Sequence, residues 1–451
     1  MSLNADRTVD VVIVGGGVAG LAAAFTAERL GASTVVLEAG PAPGGLTRSL
    51  RTRGYTFDCS GHVLHLSHPE TRRLVMSVTS PDDWLEHERR SFVWMRDRPV
   101  PYPFQLHLAH APADIRDDCV STLPDGGAAA LPSDAPFDRW IDAALGAGIG
   151  RHFMVPYNEK VATVPVSELT CEWLGRFVPT PSVADIRAGA STRRIDGVGY
   201  NQRFLYPRRG GIDLLWRSLA ARVACIEVDA RVVAIDTSRR IVRTANGSRI
   251  AYRAGVIASA PLDATAAMVE PSTPALAEGT RLRASAVTCV NLGVRAVVPS
   301  FREMHWIYLP EPRFRAYRIG FYDRFAAAMA PPGRHGLYVE IAHGANDAEA
   351  DLVQAAIADV VALGVIANAE DVEVVVPVRI PTAYVIHDHA CAGARRTLHA
   401  ELRARDVHLV GRYGRWEYAA IEDALRQGAE TAAIVVSGRS PSSSGTDTHT
   451  F

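Results

Sequence analysis

Gly15, Gly17 and Gly20 form GxGxxG within GGGVAG, between the apolar run VDVVIV at 9–14 and the helical pattern LAAAFTAERL. At this spacing the first glycine permits a turn, the second lets backbone approach a pyrophosphate, and the third lets helix and strand pack closely. The helix N-terminus then faces the phosphates with its free N–H groups. Glu38 ends a second apolar run, STVVLE, about 20 residues on, where a carboxylate can hold a ribose hydroxyl. A different chemistry is set up by RPVPYPFQLH at 98–107, where prolines 99, 101 and 103 surround Tyr102, Phe104 and Gln105. Proline fixes φ, so two rings and an amide hang on a stiffened backbone.

These residues need elements to hold them. Strand, glycine turn, helix and strand over 9–38 read as a βαβ unit. Further strands are expected at 226–235, 254–259, 287–294 and 372–378, and helices at 69–79, 136–147, 213–224, 348–364 and 420–436. The segment 106–135, rich in Ala, Pro, Asp and Gly, reads as a loop or insertion. The polar, Ser-rich stretch 437–451 reads as a disordered tail.

After Glu38 come Gly44, Gly45, Leu46 and Arg48 in AGPAPGGLTRS, then GYTFDCSGHVLH. The first of these resembles the flavoprotein pattern of the amine oxidase and protoporphyrinogen oxidase superfamily, which implies FAD. A matching C-terminal element spans 409–432, LVGRYGRWEYAAIEDALRQGAETA. There a strand ends at Gly411, and a helix from near Ile421 aims its N–H groups at the flavin. The chain has no second GxGxxG for a nicotinamide domain. The expected fold class is α/β, with a Rossmann-like FAD-binding domain assembled from 1–70, 206–265 and 395–436. A mainly helical substrate domain is expected over 71–175, and a sheet-containing, antiparallel one over 176–205 and 266–394.

Further motifs narrow the family. FDCSGHVLHLSH around His62, PYPFQ at 101–105, FMVPYNEKVATVPVSELTCEWLG at 153–175 and FLYPRRGGIDLLW at 204–216 resemble UDP-galactopyranose mutase. So do WIYLPEP at 306–312, AYRIGFY at 316–322 and GRYGRWEY at 411–418. They follow the family's order from residue 10 to about 436. The resemblance implies a pyranose–furanose isomerisation of a nucleotide sugar, most simply UDP-galactopyranose to UDP-galactofuranose. In that family reduced FAD is the active form, and its N5 is the covalent nucleophile at the anomeric carbon. NAD(P)H is the implied external reductant.

The same resemblance distributes roles. Gly61 and His62 match the pair beside the isoalloxazine, and Arg318 and Arg176 match arginines of the diphosphate, where a planar fork donates two hydrogen bonds. Tyr308, Tyr317, Tyr384 and Tyr418 match tyrosines around the diphosphate, Asn201 an asparagine close to it, and Trp306 borders the sugar. Tyr102 and Phe104 flank a planar uracil whose edge meets Gln105. Besides the glycine turn and Glu38, implied flavin contacts come from Gly44, Gly45, Leu46, Arg48, Val232, Gly411, Arg412, Ile421 and Glu422. The chain departs from the family at Ser60, at Leu106-His107 and at Ala419 to Asp423, where the family has glycine, two asparagines and a longer stretch with an Asn-Gln pair.

Composition bounds the alternatives. The 451 residues carry a net charge of −1, so nothing in the balance points to nucleic acid or an anionic membrane. No apolar run reaches the roughly 20 residues that span a bilayer. The opening MSLNADRTVD does not read as a secretory signal. Six cysteines without a CxxC pair argue against zinc or a disulfide framework and suit the cytoplasm. Expected partners are a UDP-sugar, with no nucleic acid, membrane or metal, and a homo-oligomer is left open. The competing reading is an FAD-dependent oxidoreductase of the amine oxidase or protoporphyrinogen oxidase type, which the first 60 residues do not distinguish.

Overall fold

A computed structural model describes residues 5–125, 131–193, 202–344 and 347–438. The run VDVVIV lies in the strand Arg7–Val14, whose Val11, Val12 and Ile13 are fully buried. A strand covered on both faces is apolar continuously instead of in alternation. It pairs in parallel with Thr34–Leu37 on one side and Arg249–Ala258 on the other. The eight-stranded sheet is completed by Ile226–Glu227, Val407–Leu409, Val269–Glu270 and the antiparallel strands Val232–Asp236 and Ile241–Thr244. Helices Val18–Arg29 and Ile421–Ser437 cross closely, since a Cβ at Gly428 would lie 2.2 Å from the carbonyl oxygen of Ala19. The separated N-terminal, central and C-terminal segments thus build one layer, and the fold class is the expected α/β.

The second sheet has seven strands, ordered Val372–Val385, Ala284–Val294, His335–His343, Arg318–Phe321, Trp306–Tyr308, Ser91–Met95 and Arg98–Pro101. All its pairings are antiparallel except that between Trp306–Tyr308 and Ser91–Met95. Helices between 113 and 191 pack around a separate apolar core that includes Phe104, Phe137, Ile141, Ile149 and Phe153.

Four expectations are corrected. Residues 84–101, read as part of a helical segment, form three strands, two of which extend the second sheet. The loop expected over 106–135 contains the helix Ala113–Ser121, which buries Ile115 and Cys119 against that helical core. The strand expected over 226–235 breaks at Asp229, whose φ is 52°, because residues 229 and 230 donate backbone hydrogen bonds to Gly40 and Glu38. The strand expected to end at 378 runs to Val385 and carries Tyr384 to the site. The tail beyond residue 438 and Asn201 lie outside the described residues.

Candidate functional site

The glycine turn has the shape a dinucleotide needs. Gly15 sits at φ 98°, and a Cβ there would meet the Ser259 hydroxyl at 2.5 Å. At Gly20 a Cβ would lie 2.1 Å from the Gly15 carbonyl oxygen, so helix and turn touch backbone to backbone. Gly17 caps the helix Val18–Arg29, and a Cβ there would meet no atom within 4 Å. Open space thus lies over the free N–H groups at the helix start, as a pyrophosphate requires. The Glu38 carboxylate accepts from the Gly16 and Gly40 amides at 2.8 Å each, which fixes it beside the turn. Val232 stands two residues past Ala230, whose amide bonds the Glu38 carbonyl.

Gly44, at φ 111°, lies against the Trp216 indole, where a Cβ would come within 2.6 Å. Arg48 donates to the Gly45 carbonyl at 3.0 Å, and Leu46 packs with Tyr157 and Tyr384 against the cluster containing Tyr317. At the C-terminal end, Gly411 is at φ 76° and donates to the Gln427 side chain at 2.8 Å. Glu422, in the first turn of the helix from Ile421, is buried and accepts from the His68 amide at 2.7 Å. Its other carboxylate oxygen has no partner among the described residues. These elements accommodate FAD, with an open cradle at Gly17 and an unpaired, buried carboxylate oxygen on Glu422.

Gly61 packs against the second sheet. Arg318 and Glu340 face each other across adjacent antiparallel strands. Arg318 donates from Nε at 2.5 Å and from Nη2 at 2.8 Å to the two oxygens of the fully buried Glu340. The same carboxylate accepts from the Ser60 hydroxyl and, at 3.2 Å, from the Gly61 amide. Burial opposes the Glu340 charge, but the Arg318 guanidinium outweighs it and holds the carboxyl below its ordinary range. Tyr338 fills the gap between Gly61 and Gly320, where a Cβ at either glycine would come within 2.3 Å of its ring. His62 follows, its Nδ1 buried without a partner, and burial pushes its pKa down to about 4.

Arg318 also lines a cavity of about 170 Å³. Tyr102, Gln105, Tyr308, Tyr384 and Tyr418 share its walls with Tyr157, Trp173, Phe177 and His387, which sequence reasoning did not single out. Tyr102 and Tyr308 stand 5.1 Å apart between ring centres, and Arg412 covers the Tyr384 and Tyr418 rings at 4.9 and 4.5 Å. The Gln105 amide donates to the Pro179 carbonyl at 2.6 Å, which leaves its oxygen unpaired. Tyr317 is buried with its hydroxyl 3.4 Å from that of Tyr384.

Three residues lie elsewhere. Phe104 is fully buried against Phe153 behind the cavity, because the backbone turns into a short 3-10 helix over Phe104–Leu106. Trp306 packs in the core with Phe204 and Phe325. Arg176 pairs with Asp423 at the start of the C-terminal helix instead of lining the cavity.

Lys160 holds the loop between Tyr308 and Arg318. Its ammonium donates to the carbonyls of Leu309, Glu311, Phe314 and Ala316 at 2.9, 2.6, 2.6 and 3.3 Å. Replacing it with methionine strands several carbonyls and is expected to cost about 1–3 kcal/mol. Denaturant unfolding measures that loss, and a variant as stable as the parent contradicts the clamp.

A second expectation concerns pH. Burial lowers His62, His65 and His399 to about 4, and His305 and His387 to about 3. Below the ordinary value of 6.5 the unfolded chain therefore takes up protons that the folded chain refuses, so stability falls with pH across that window. The thermal unfolding midpoint is expected to drop steadily from pH 6.5 to 4. An equal or higher midpoint at pH 5 than at pH 7 contradicts this.

A Rossmann-like cradle joined to a second, largely antiparallel sheet defines an FAD-dependent flavoprotein. The flavin containing amine oxidoreductase family matches residues 18–436, and the chain belongs to that family. It is 22% identical over 284 residues to "Probable flavin-containing monoamine oxidase A" of Dictyostelium discoideum, a match spanning 59% of this chain and 60% of that protein's length. A shorter match, 46% identical over 59 residues, is to hydroxyneurosporene desaturase of Rhodobacter capsulatus, covering 13% of this chain and 12% of that one. Among solved structures, reduced UDP-galactopyranose mutase superposes with a TM-score of 0.89 at 25% identity, covering 96% of this chain and 94% of the other. Putrescine oxidase bound to putrescine shares the fold, with a TM-score of 0.65 at 17% identity over 95% and 99% of the two chains. Among the described residues no helix is long and apolar enough to cross a membrane. Nor could any group of three or more His, Cys, Asp or Glu there hold a metal ion.

Proposed function

We propose that the chain is an FAD-dependent nucleotide-sugar pyranose–furanose mutase, acting most simply between UDP-galactopyranose and UDP-galactofuranose. The observation that carries this reading is the link from Arg318, in the cavity wall, through Glu340 to the Gly61 amide. A guanidinium with one edge on a buried carboxylate keeps Nη1 for a ligand, and its fork suits a diphosphate. The likeness to reduced UDP-galactopyranose mutase supports the reading. When bound and reduced, by NAD(P)H in this reading, FAD supplies the nucleophile.

The chain's own residues bind and orient. Gly17, in the turn that Gly15 and Gly20 permit, receives the flavin's pyrophosphate, Glu38 a ribose hydroxyl and Val232 the adenine side. Gly44, Gly45, Leu46, Arg48, Gly411, Arg412, Ile421 and Glu422 enclose the remainder, with Gly61 and His62 beside the ring. Arg318, Tyr308, Tyr384 and Tyr418 orient and neutralise the leaving diphosphate, while Tyr102 and Gln105 hold the base. The aromatic walls exclude water, which strengthens each charge interaction within them.

A second reading is an amine-oxidising flavoenzyme, favoured by the family match and by the aromatic walls around the cavity. Oxygen consumption by the oxidised protein with a panel of amines, set beside turnover of nucleotide sugars by the reduced protein, separates the two. Amine-dependent oxygen uptake without sugar isomerisation overturns the mutase reading.

A further inference from the structure

One cavity wall carries an imidazole to which the reading above assigns no task. His387 is 5% exposed and lines the cavity beside Val385 and Leu169. Its backbone is pinned, since its carbonyl accepts from the Thr170 amide at 2.7 Å and hydroxyl at 3.0 Å. Neither Nδ1 nor Nε2 has a hydrogen-bond partner among the described residues. A buried polar group left unpaired is costly, so a ring in a cavity wall with two such atoms points to a ligand. Burial first, then Arg395 and Arg412, keep the ring neutral. A neutral imidazole offers one donor and one acceptor and adds no charge for a phosphate. In the reading above the base edge is assigned to Gln105, whose oxygen is unpaired. A hydroxyl both donates and accepts, and so satisfies either ring nitrogen in either tautomer.

We propose that His387 hydrogen-bonds a hydroxyl of the ligand, on its ribose or on its transferred sugar. The proposal rests on the nucleotide-sugar reading of this cavity. The test measures dissociation constants of the oxidised holoenzyme for UDP, 2′,3′-dideoxy-UDP, UDP-galactopyranose and pyrophosphate, in the parent, His387→Ala and His387→Asn. His387→Ala is expected to weaken binding about tenfold, with pyrophosphate unaffected, and His387→Asn to recover most of the loss. A ribose contact shows as weaker UDP binding that disappears with the dideoxy analogue. A contact to the transferred sugar shows as weaker UDP-galactopyranose binding with UDP unchanged. Should alanine impair folding, His387→Leu carries the same comparison.

Equal affinities in parent and variants overturn the proposal, as does a uniform loss that includes pyrophosphate. A parent protein that binds neither UDP nor UDP-galactopyranose overturns the nucleotide-sugar reading itself, and this proposal with it.

Discussion

Arg318→Ala is expected to lose about 3–5 kcal/mol of stability along with its grip on the ligand. Glu340 is fully buried, and alanine leaves its charge without the guanidinium that compensates it. Nucleotide affinity should fall about 100-fold, as for a lost charge-assisted fork. The sign of the pH dependence is also specified. In the parent, Arg318 holds the Glu340 carboxyl below its ordinary 4.5, so the pair's stabilisation is complete above that value and is lost as pH falls through the lowered one. In Arg318→Ala only burial and the small dipoles of Ser60 and Gly61 remain, burial raises the carboxyl, and the penalty shrinks as pH falls. The double variant Arg318→Ala/Glu340→Gln removes the orphaned charge and should regain stability while staying weak for ligand. Denaturant unfolding of the three proteins measures this, and an Arg318→Ala protein as stable as the parent contradicts the account.

Gly20→Ala is expected to leave the protein with less than about a tenth of its flavin. The added Cβ would sit 2.1 Å from the Gly15 carbonyl oxygen and 3.1 Å from Ile13. Backbone cannot retreat there without opening the turn, and overpacking of this kind costs about 1–3 kcal/mol. Gly17→Ala is the informative contrast. Its φ of −69° suits alanine, and no atom lies within 4 Å of the new methyl, so the fold should keep its stability. The same methyl occupies the space proposed for the pyrophosphate, so flavin affinity should drop about tenfold or more. Flavin absorbance per protein, with unfolding midpoints, separates the two effects. A stable Gly17→Ala protein with full flavin content contradicts the placement of the cradle.

The glycine turn was legible because its geometry is local: strand, turn, helix and Glu38 lie within one βαβ unit, and backbone sterics dictate the residue types. The Arg318–Glu340 pair was only half legible. Arg318 stood out in AYRIGFY, whereas Glu340 sits in GLYVEIAH, an apolar run in which one acid looks incidental. Its significance comes from register, which sets it opposite Arg318 on the next strand and beside Ser60 and Gly61 from another layer. Phe104 illustrates the reverse. The prolines suggested a rigid display of both rings, but the 3-10 turn at Phe104 sends its ring into the helical core while Tyr102 and Gln105 reach the cavity. Arg176 was placed by motif alone, and the acid that captures it, Asp423, lies 247 residues away. Phe177 and His387 carried no local pattern and Trp173 stood only inside the motif at 153–175, and the folding of 169–179 over the end of the strand Val372–Val385 brings them to one wall.

The most direct test of the central claim is turnover of UDP-galactofuranose by the FAD-replete, dithionite-reduced protein, followed by chromatography of the nucleotide sugars. Conversion to UDP-galactopyranose by the reduced protein, absent from the oxidised one and severely reduced in Arg318→Ala, is the predicted result. The contradicting result is no interconversion of UDP-galactofuranose or of any nucleotide sugar in a UDP, dTDP and GDP panel, from protein that retains its flavin and its fold.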